Sequence, residues 1–374
     1  MTLRTAAAVV RGAGEPFSVE QIVLDGPADH EVLVRMVAAG MCHTDLTVQA
    51  GFAPFPLPGV LGHEGAGIVA AVGATVTSVV PGDRVLLSFS SCGACGACHT
   101  GQPSLCRTWL SRNLFGGARP DGTAPIADAD GGELHGHFFG QSSFSALALA
   151  DERSVVRVDP DTPLEVLAPL GCGVVTGFGT VHNVLKPYAG ASVAVLGAGS
   201  VGLSAVMAAA LTPAARIIAV DRLPERLALA RELGATDTVD TGSGDLTEAL
   251  TAVTGGAGVD RILDATGVPE VIAAGIASLA VGGIFVFVGA PPFGTTVPVD
   301  VNAMLPGRSV VGVTIGGAET RSLIPALVRL HAQGRLPVDR LVTPYDFADI
   351  QRAAEDIHAG RAVKPVLLFP DGRS

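Results

Sequence analysis

Val193–Leu211 reads VAVLGAGSVGLSAVMAAAL, a largely apolar run broken by the turn Gly197-Ala198-Gly199-Ser200-Val201-Gly202. Val193–Leu196 has the composition of a buried strand, and Val201–Leu211 that of a small-residue helix. A G-x-G-x-x-G turn that ends a strand and opens a helix is the pattern of dinucleotide binding. Its glycines permit the tight turn and close backbone approach, and the helix N-terminus receives a pyrophosphate. Asp221 closes the next strand, 19 residues after Gly202, where its carboxylate is placed to accept ribose hydroxyls. A carboxylate there repels a 2′-phosphate and favours NAD, while Arg222 and Arg226 beside it leave NADP open.

Outward from this turn the same alternation continues. Ile217–Val220 is a strand and Pro224–Leu233 a helix, with proline in its first turn and Gly234 just past its end. Arg261–Asp264 and Ile284–Val288 are further strands, joined through a helix at about Pro269–Leu279. The expected class is α/β, a doubly wound parallel sheet of the Rossmann kind over residues 174–315. Residues 1–173 read differently. Short β-branched runs (Ala6–Val10, Val32–Val37, Ile68–Val72, Val85–Leu87) are separated by turn signals, which predicts a mostly-β, barrel-like domain. The Gly/Asp/Ala-rich stretch Gly116–Gly132 reads as a surface loop, and residues 316–374 as a return to the first domain.

Ser91–Cys106, SCGACGACHTGQPSLC, spaces Cys92, Cys95, Cys98 and Cys106 as C-x2-C-x2-C-x7-C. Thiolates at such steps converge on one point and suit a closed tetrahedral zinc site, which stabilises the fold without an open position for chemistry. An iron–sulfur cluster uses a similar start, but its run normally ends in Cys-Pro, and Cys106 is followed by Arg107. Buried or disulfide-bonded cysteines are the third reading. The remaining cysteines, Cys42 and Cys172, would with His63 form a three-ligand zinc site open at its fourth position. Their separations along the chain do not by themselves join them.

Composition narrows the class. The 374 residues are 48% hydrophobic and carry a net charge of −11, which argues against nucleic acid or an anionic membrane as partner. The uncharged stretches Ser192–Ala215 and Val271–Ala290 are long enough to resemble spanning helices, but glycines fall where a buried strand–helix unit would turn. The N-terminal apolar run, five residues before Arg11, is too short for a signal-peptide core, so reduced cytoplasmic thiols are expected.

Taken in order, Cys42-His43-Thr44-Asp45, GHEGAG (Gly62–Gly67), the four-cysteine loop, Gly171-Cys172-Gly173 and GAGSVG resemble the zinc-dependent medium-chain alcohol dehydrogenases over essentially the whole chain. The resemblance implies a GroES-like catalytic domain at 1–173, completed by 316–374, and two zinc ions per chain. Cys42, His63 and Cys172 would hold the catalytic zinc, a ligand set for which alcohol dehydrogenase is the standard example. Asp45 would orient His63, Glu64 would sit behind the metal, and Thr44 would take the substrate proton. His43 and Lys364 (in GRAVKPVLLF, Gly360–Phe369) would contact the pyrophosphate, and Thr176 and Val201 the nicotinamide. Homodimers or homotetramers are implied.

RPDG (Arg119–Gly122), FFGQSSF (Phe138–Phe144) and GCGVVTGFGTV (Gly171–Val181) further resemble the benzyl- or aryl-alcohol branch and its terpene-alcohol relatives. Primary aromatic or allylic alcohols and aldehydes are therefore the expected substrates, with Phe52, Trp109, Phe138 and Phe89 as candidate walls of an apolar pocket; the other reading of each ring, and the commoner one for an aromatic, is core. Many relatives continue a proton relay with His where this chain has Thr47, whose hydroxyl is no base near neutral pH. General aliphatic or terpene alcohols are the alternative substrates. A non-catalytic zinc- and nucleotide-binding protein is the alternative of another class.

Overall fold

A computed structural model describes residues 2–370. The chain forms two compact units, one running to Cys172 and resuming at Glu319, the other spanning Gly173–Ala318. The boundaries expected from the sequence lay at 173/174 and 315/316. Ile315–Gly317 packs on the helix Gly173–Gly179, and Asn183 Nδ2 donates to Gly316 O at 3.0 Å, which keeps those residues in the second unit.

In the first unit, Glu31–Gly40 (EVLVRMVAAG) is buried along nine of its ten residues, as a strand covered on both faces must be. It is the centre of a seven-stranded sheet, with Lys364–Leu368 on one side and Glu64–Val72 on the other, and Leu147–Asp151 paired to its first half. A separate four-stranded antiparallel sheet runs Gly59–Val60, Leu3–Val10, Phe17–Leu24, Ile126–Asp128. The last of these falls inside the stretch read as a loop. Ile126 is buried opposite Leu24, and the sequence masks this because the strand has only three residues between glycine-rich turns.

The second unit is a six-stranded sheet, parallel throughout. In its own sequence order the strands run 3-2-1-4-5-6: Asp237–Asp240, Arg216–Asp221, Ser192–Leu196, Val259–Asp264, Leu279–Phe287, Ser309–Gly312. This is the doubly wound order in which ligands sit at the C-terminal ends of the strands, where the order reverses. Ala194, Leu196, Ile218, Val220, Ile262 and Phe285 form its buried middle. The stretches with membrane-like composition are strand–turn–helix and helix–turn–strand pieces of this core. Among the described residues no single helix is long and apolar enough to cross a membrane. The helix expected to reach Leu279 stops at Ala277, where Ser278 caps it and returns its hydroxyl to Ala274 O (2.8 Å).

One buried ion cluster anchors the first unit. Glu31, fully buried at the start of the central strand, accepts from Arg119 Nε (3.0 Å) and Nη2 (3.1 Å) and from the Ala28 amide (2.8 Å), and lies 3.0 Å from His137 Nε2. Burial alone would raise the Glu31 pKa. The hydrogen bonds of His137, Arg119 and Ala28 overcome that and bring it down to about 2. A carboxylate with a lowered folded pKa stabilises the fold above its unfolded value and loses that contribution as pH falls through the folded one. Urea midpoints should therefore decline between the unfolded carboxyl range, near ~4.3, and about 2. Glu31→Gln, which leaves Arg119 underpaired, should lower stability at pH 7 by on the order of 3 kcal/mol and flatten that acid decline.

Candidate active site

Cys42 stands at the N-terminus of the helix His43–Gln49, and Asp45 lies in the first turn of that helix. Asp45 is fully buried. Its Oδ2 accepts the Cys42 amide (2.9 Å), and its Oδ1 accepts the Gly62 amide (3.1 Å) and His63 Nδ1 (3.0 Å). One carboxylate thereby fixes the backbone of one sulfur donor and the ring of the next. With Nδ1 committed, His63 Nε2 is buried and makes no hydrogen bond. Cys172 reaches the same place from the turn Ala168–Gly171, whose last carbonyl accepts from Ser88 Oγ (2.6 Å). The ligand atoms of Cys42, His63, Glu64 and Cys172 all lie within 4.8 Å of one another.

The electrostatics are those of a cation site. The hydrogen bond from Cys172 holds the Cys42 thiol well below its ordinary range, helped by the charges of Lys364 and His63 and opposed by burial. The same bond and burial hold Cys172 well above it. Burial opposes charge on His63, but the charge and hydrogen bond of Asp45, with Cys42, push its pKa up to about 10. The position facing Nε2 thus attracts positive charge, and a metal ion competes there with a proton. An orphaned imidazole nitrogen beside two sulfurs fits zinc.

Aromatic rings close around His63. Phe139 stacks on it at 4.4 Å and 23°, Phe138 meets it edge-on at 5.4 Å, and Trp109 meets Phe139 edge-on at 5.6 Å. This contact depends on a kinked backbone: His137, Phe139 and Ser142 all have left-handed φ (58°, 52° and 51°). Such residues cost about 1–3 kcal/mol each and persist only where their surroundings hold them. Here Glu31 holds His137, while Ser142 Oγ accepts from Phe138 N (3.0 Å) and donates to Val60 O (2.7 Å). Gln141 accepts from Gly65 N and donates to His63 O and Ser88 O. The sequence reading assigned no role to Phe139 or Gln141; the unusual polar-aromatic density of FFGQSSF was the available signal.

Other expected residues fall as follows. Thr44 Oγ1 lies 3.9 Å from Cys42 Sγ, and Thr47 Oγ1 donates to His43 O (2.9 Å), an ordinary helix contact. Exposed His43 lies edge-on to His358 at 6.4 Å. Lys364 and the aromatic side chains are placed as follows. Lys364 is 1% exposed and donates to both Glu64 carboxylate oxygens and to Met41 O, so its ammonium is committed inside the fold rather than offered to a phosphate. Phe138 is fully buried against His63 and Phe55 and is core rather than pocket wall. Phe52 is 66% exposed. Phe89 is buried beside Trp109.

In the cysteine loop, the four sulfurs of Cys92, Cys95, Cys98 and Cys106 also lie within 4.8 Å of one another. All six cysteines are free, which removes the disulfide reading. Hydrogen bonds from the Arg107 and Cys98 amides bring the Cys95 thiol down to about 6, as suits a metal-binding thiolate.

In the second unit, the glycine turn is enforced by contact. A Cβ on Gly202 would lie 1.8 Å from Gly197 O, and Gly197 itself has φ 94°. Asp221 accepts from the Ala198 amide (2.7 Å) and from the Arg222 and Leu223 amides (2.8 and 3.0 Å), so it ties its own strand end to the turn. Gly199 and Arg222 are exposed, and Arg226 is buried. The helix carrying Thr176 packs on the helix that starts with Ser200 and Val201, and Thr176 Oγ1 is buried without a hydrogen bond.

Family comparisons match these two units. Residues 28–160 match the alcohol dehydrogenase GroES-like domain, and residues 200–331 match the zinc-binding dehydrogenase domain. A geraniol dehydrogenase of Castellaniella defragrans is 45% identical over 366 residues, 97% of each chain. This chain belongs to the zinc-dependent medium-chain alcohol dehydrogenase family. Among solved structures, an alcohol dehydrogenase zinc-binding domain protein from Burkholderia ambifaria is 48% identical with a TM-score of 0.96, over 99% of this chain and 100% of that one. Benzyl alcohol dehydrogenase from Acinetobacter calcoaceticus is 42% identical with a TM-score of 0.94, over 98% and 99%.

For this family member, Asp45→Asn should keep the shape of the site but weaken its grip on the ring it orients. Metal retention at Cys42, His63 and Cys172, measured by competition with a chelator, should fall about 10–100-fold.

Proposed function

We propose that the chain is an NAD-dependent zinc alcohol dehydrogenase that interconverts primary aromatic or allylic alcohols and their aldehydes. The observation that carries the reading is the convergence of Cys42, His63 and Cys172 around an imidazole nitrogen with no protein partner. Three protein ligands leave one position for substrate, whereas the four cysteines of the loop leave none. This favours two zinc ions, one in each cluster, over the scaffold alternative. When bound, zinc would supply Lewis-acid polarisation of the alcohol oxygen, and the nicotinamide would supply the hydride acceptor.

The chain's own residues do the rest. Asp45 holds His63 in the tautomer that presents Nε2 to the sulfurs. Thr44, beside the Cys42 sulfur, receives the substrate hydroxyl proton while passing its own onward, as a neutral hydroxyl must. Thr47 takes no part, since its hydroxyl is no base and is already bonded to His43 O. In the second unit the Gly197–Gly202 turn offers the helix N-terminus to a pyrophosphate, and Asp221 supports NAD over NADP by its charge.

The substrate class is supported by the kinship with a geraniol dehydrogenase and a benzyl alcohol dehydrogenase, whose names share a primary alcohol next to unsaturation. The geraniol relative keeps the terpene alcohol as the second reading. An exposed edge supports a homo-oligomer. Ser309–Gly312 ends the parallel sheet, with Val311 and Phe287 partly exposed beside it, and such an edge is suited to pairing with a second copy. Six free thiols accord with a reducing cytoplasm.

Benzyl alcohol, cinnamyl alcohol, geraniol and ethanol assayed with NAD+ and NADP+ test the reading. Benzyl, cinnamyl or geranyl substrates should exceed ethanol in kcat/KM, and NAD+ should exceed NADP+; a preference for ethanol would overturn the substrate assignment. Thr44→Val should lower kcat about 10²-fold or more. Elemental analysis should find two zinc ions per chain, and Cys172→Ser should leave one and abolish turnover.

A further inference from the structure

The two cysteine-containing clusters lie in one unit, and a line of side chains joins them. Trp109, the single tryptophan of the chain, stands three residues after Cys106, and its amide donates to Cys106 O (3.0 Å). Cys106 Sγ in turn accepts the Cys92 amide at the start of the loop (3.3 Å). Buried Asn113 holds the other side of the tryptophan. Its Nδ2 donates to Trp109 O (2.7 Å) and Ser90 O (2.9 Å), and its Oδ1 accepts the Ser90 amide (2.8 Å). Ser90 lies two residues before Cys92, so one asparagine ties both ends of the loop to the backbone of Trp109.

The indole meets Phe139 edge-on at 5.6 Å, and Phe139 stacks on His63 at 4.4 Å. Trp109 Nε1 is buried and makes no hydrogen bond, so the ring is seated by its neighbours and by the main chain that carries it. Phe139 has a left-handed φ of 52°, a conformation that persists only where the surroundings hold it. We propose that Trp109 is a positioning residue that couples the two clusters: a cation gripped by Cys92, Cys95, Cys98 and Cys106 fixes the main chain from Cys106 to Trp109, the indole then holds Phe139 on His63, and the cluster of Cys42, His63 and Cys172 binds its own metal more tightly. The proposal rests on the two zinc sites proposed above. Such coupling is reciprocal, so metal at His63 tightens the hold of the loop by the same factor. The loop thereby acts on the open cluster although it has no position for substrate itself.

The test uses the full chain loaded with zinc, with the partition of zinc between protein and a chelator measured per chain. Cys172→Ser, which lacks the open cluster, identifies the zinc that belongs to the loop. Cys95→Ser, which empties the loop, should weaken zinc retention at the open cluster at least about fivefold. The fluorescence of Trp109 should move to longer wavelength in the same variant, as the indole leaves its rings. In a Trp109→Leu background, adding Cys95→Ser should change retention at the open cluster by less than about twofold. A loop that merely stabilised the unit would weaken retention equally in both backgrounds. Should Trp109→Leu not fold, Phe139→Leu breaks the line at its next link, and Cys95→Asp replaces Cys95→Ser on the same grounds. Equal weakening with and without the indole, or no weakening in either, overturns the proposal and leaves both zinc sites standing. A wild-type chain that holds fewer than two zinc ions overturns the zinc sites and the proposal with them.

Discussion

Three hydrogen-bond donors converge on the two oxygens of Asp45, and the cluster of Cys42, His63 and Cys172 is arranged around that convergence. A buried carboxylate is costly unless its oxygens are paired. Here the pairing couples two segments, the helix start at Cys42 and the loop before Glu64, that meet only in the folded sheet. Because the carboxylate takes Nδ1, the imidazole has one direction left in which to act. The rings of Phe138 and Phe139 then fix its plane. Their own placement relies on the left-handed backbone at His137 and Phe139, held by Glu31 at the far end of the central strand. A chain of contacts thus runs from a buried ion cluster to the imidazole of His63.

The second unit solves a different problem by backbone geometry. Nothing but glycine fits at Gly202, and Asp221 spends its oxygens on amides of the turn and of its own strand end. The carboxylate that would meet a ribose is thus also the brace that shapes the turn. One side chain would then serve fold and recognition together, as is common where a strand ends at a binding crevice.

What was readable in the sequence follows the range of each interaction. The Gly197–Gly202 turn and the four-cysteine loop are local, and their spacing alone announces their geometry. Cys42, His63 and Cys172 are scattered, and only a resemblance joined them before the fold did. Where that resemblance assigned a role by position, it did not foretell the Glu64 partner of Lys364, which is set by strand order rather than by sequence. Phe138 was open to both readings, pocket wall and core, because aromatic residues do not declare which face they turn. Phe139 was passed over because nothing in its letter signals a left-handed backbone. Short polar strands such as Asp237–Asp240, with Val239 its single buried residue, give too little alternation to be recognised.

The order of the strands has a consequence for biosynthesis. The unit that holds Cys42, His63 and Cys172 is discontinuous, with Lys364–Leu368 inserted beside its central strand from the far end of the chain. The parallel-sheet unit is continuous and can fold as soon as it emerges from the ribosome. The first unit instead keeps a gap in its principal sheet until translation has passed Leu368. Cys42, His63 and Cys172 therefore share a complete sheet only at the last stage of synthesis.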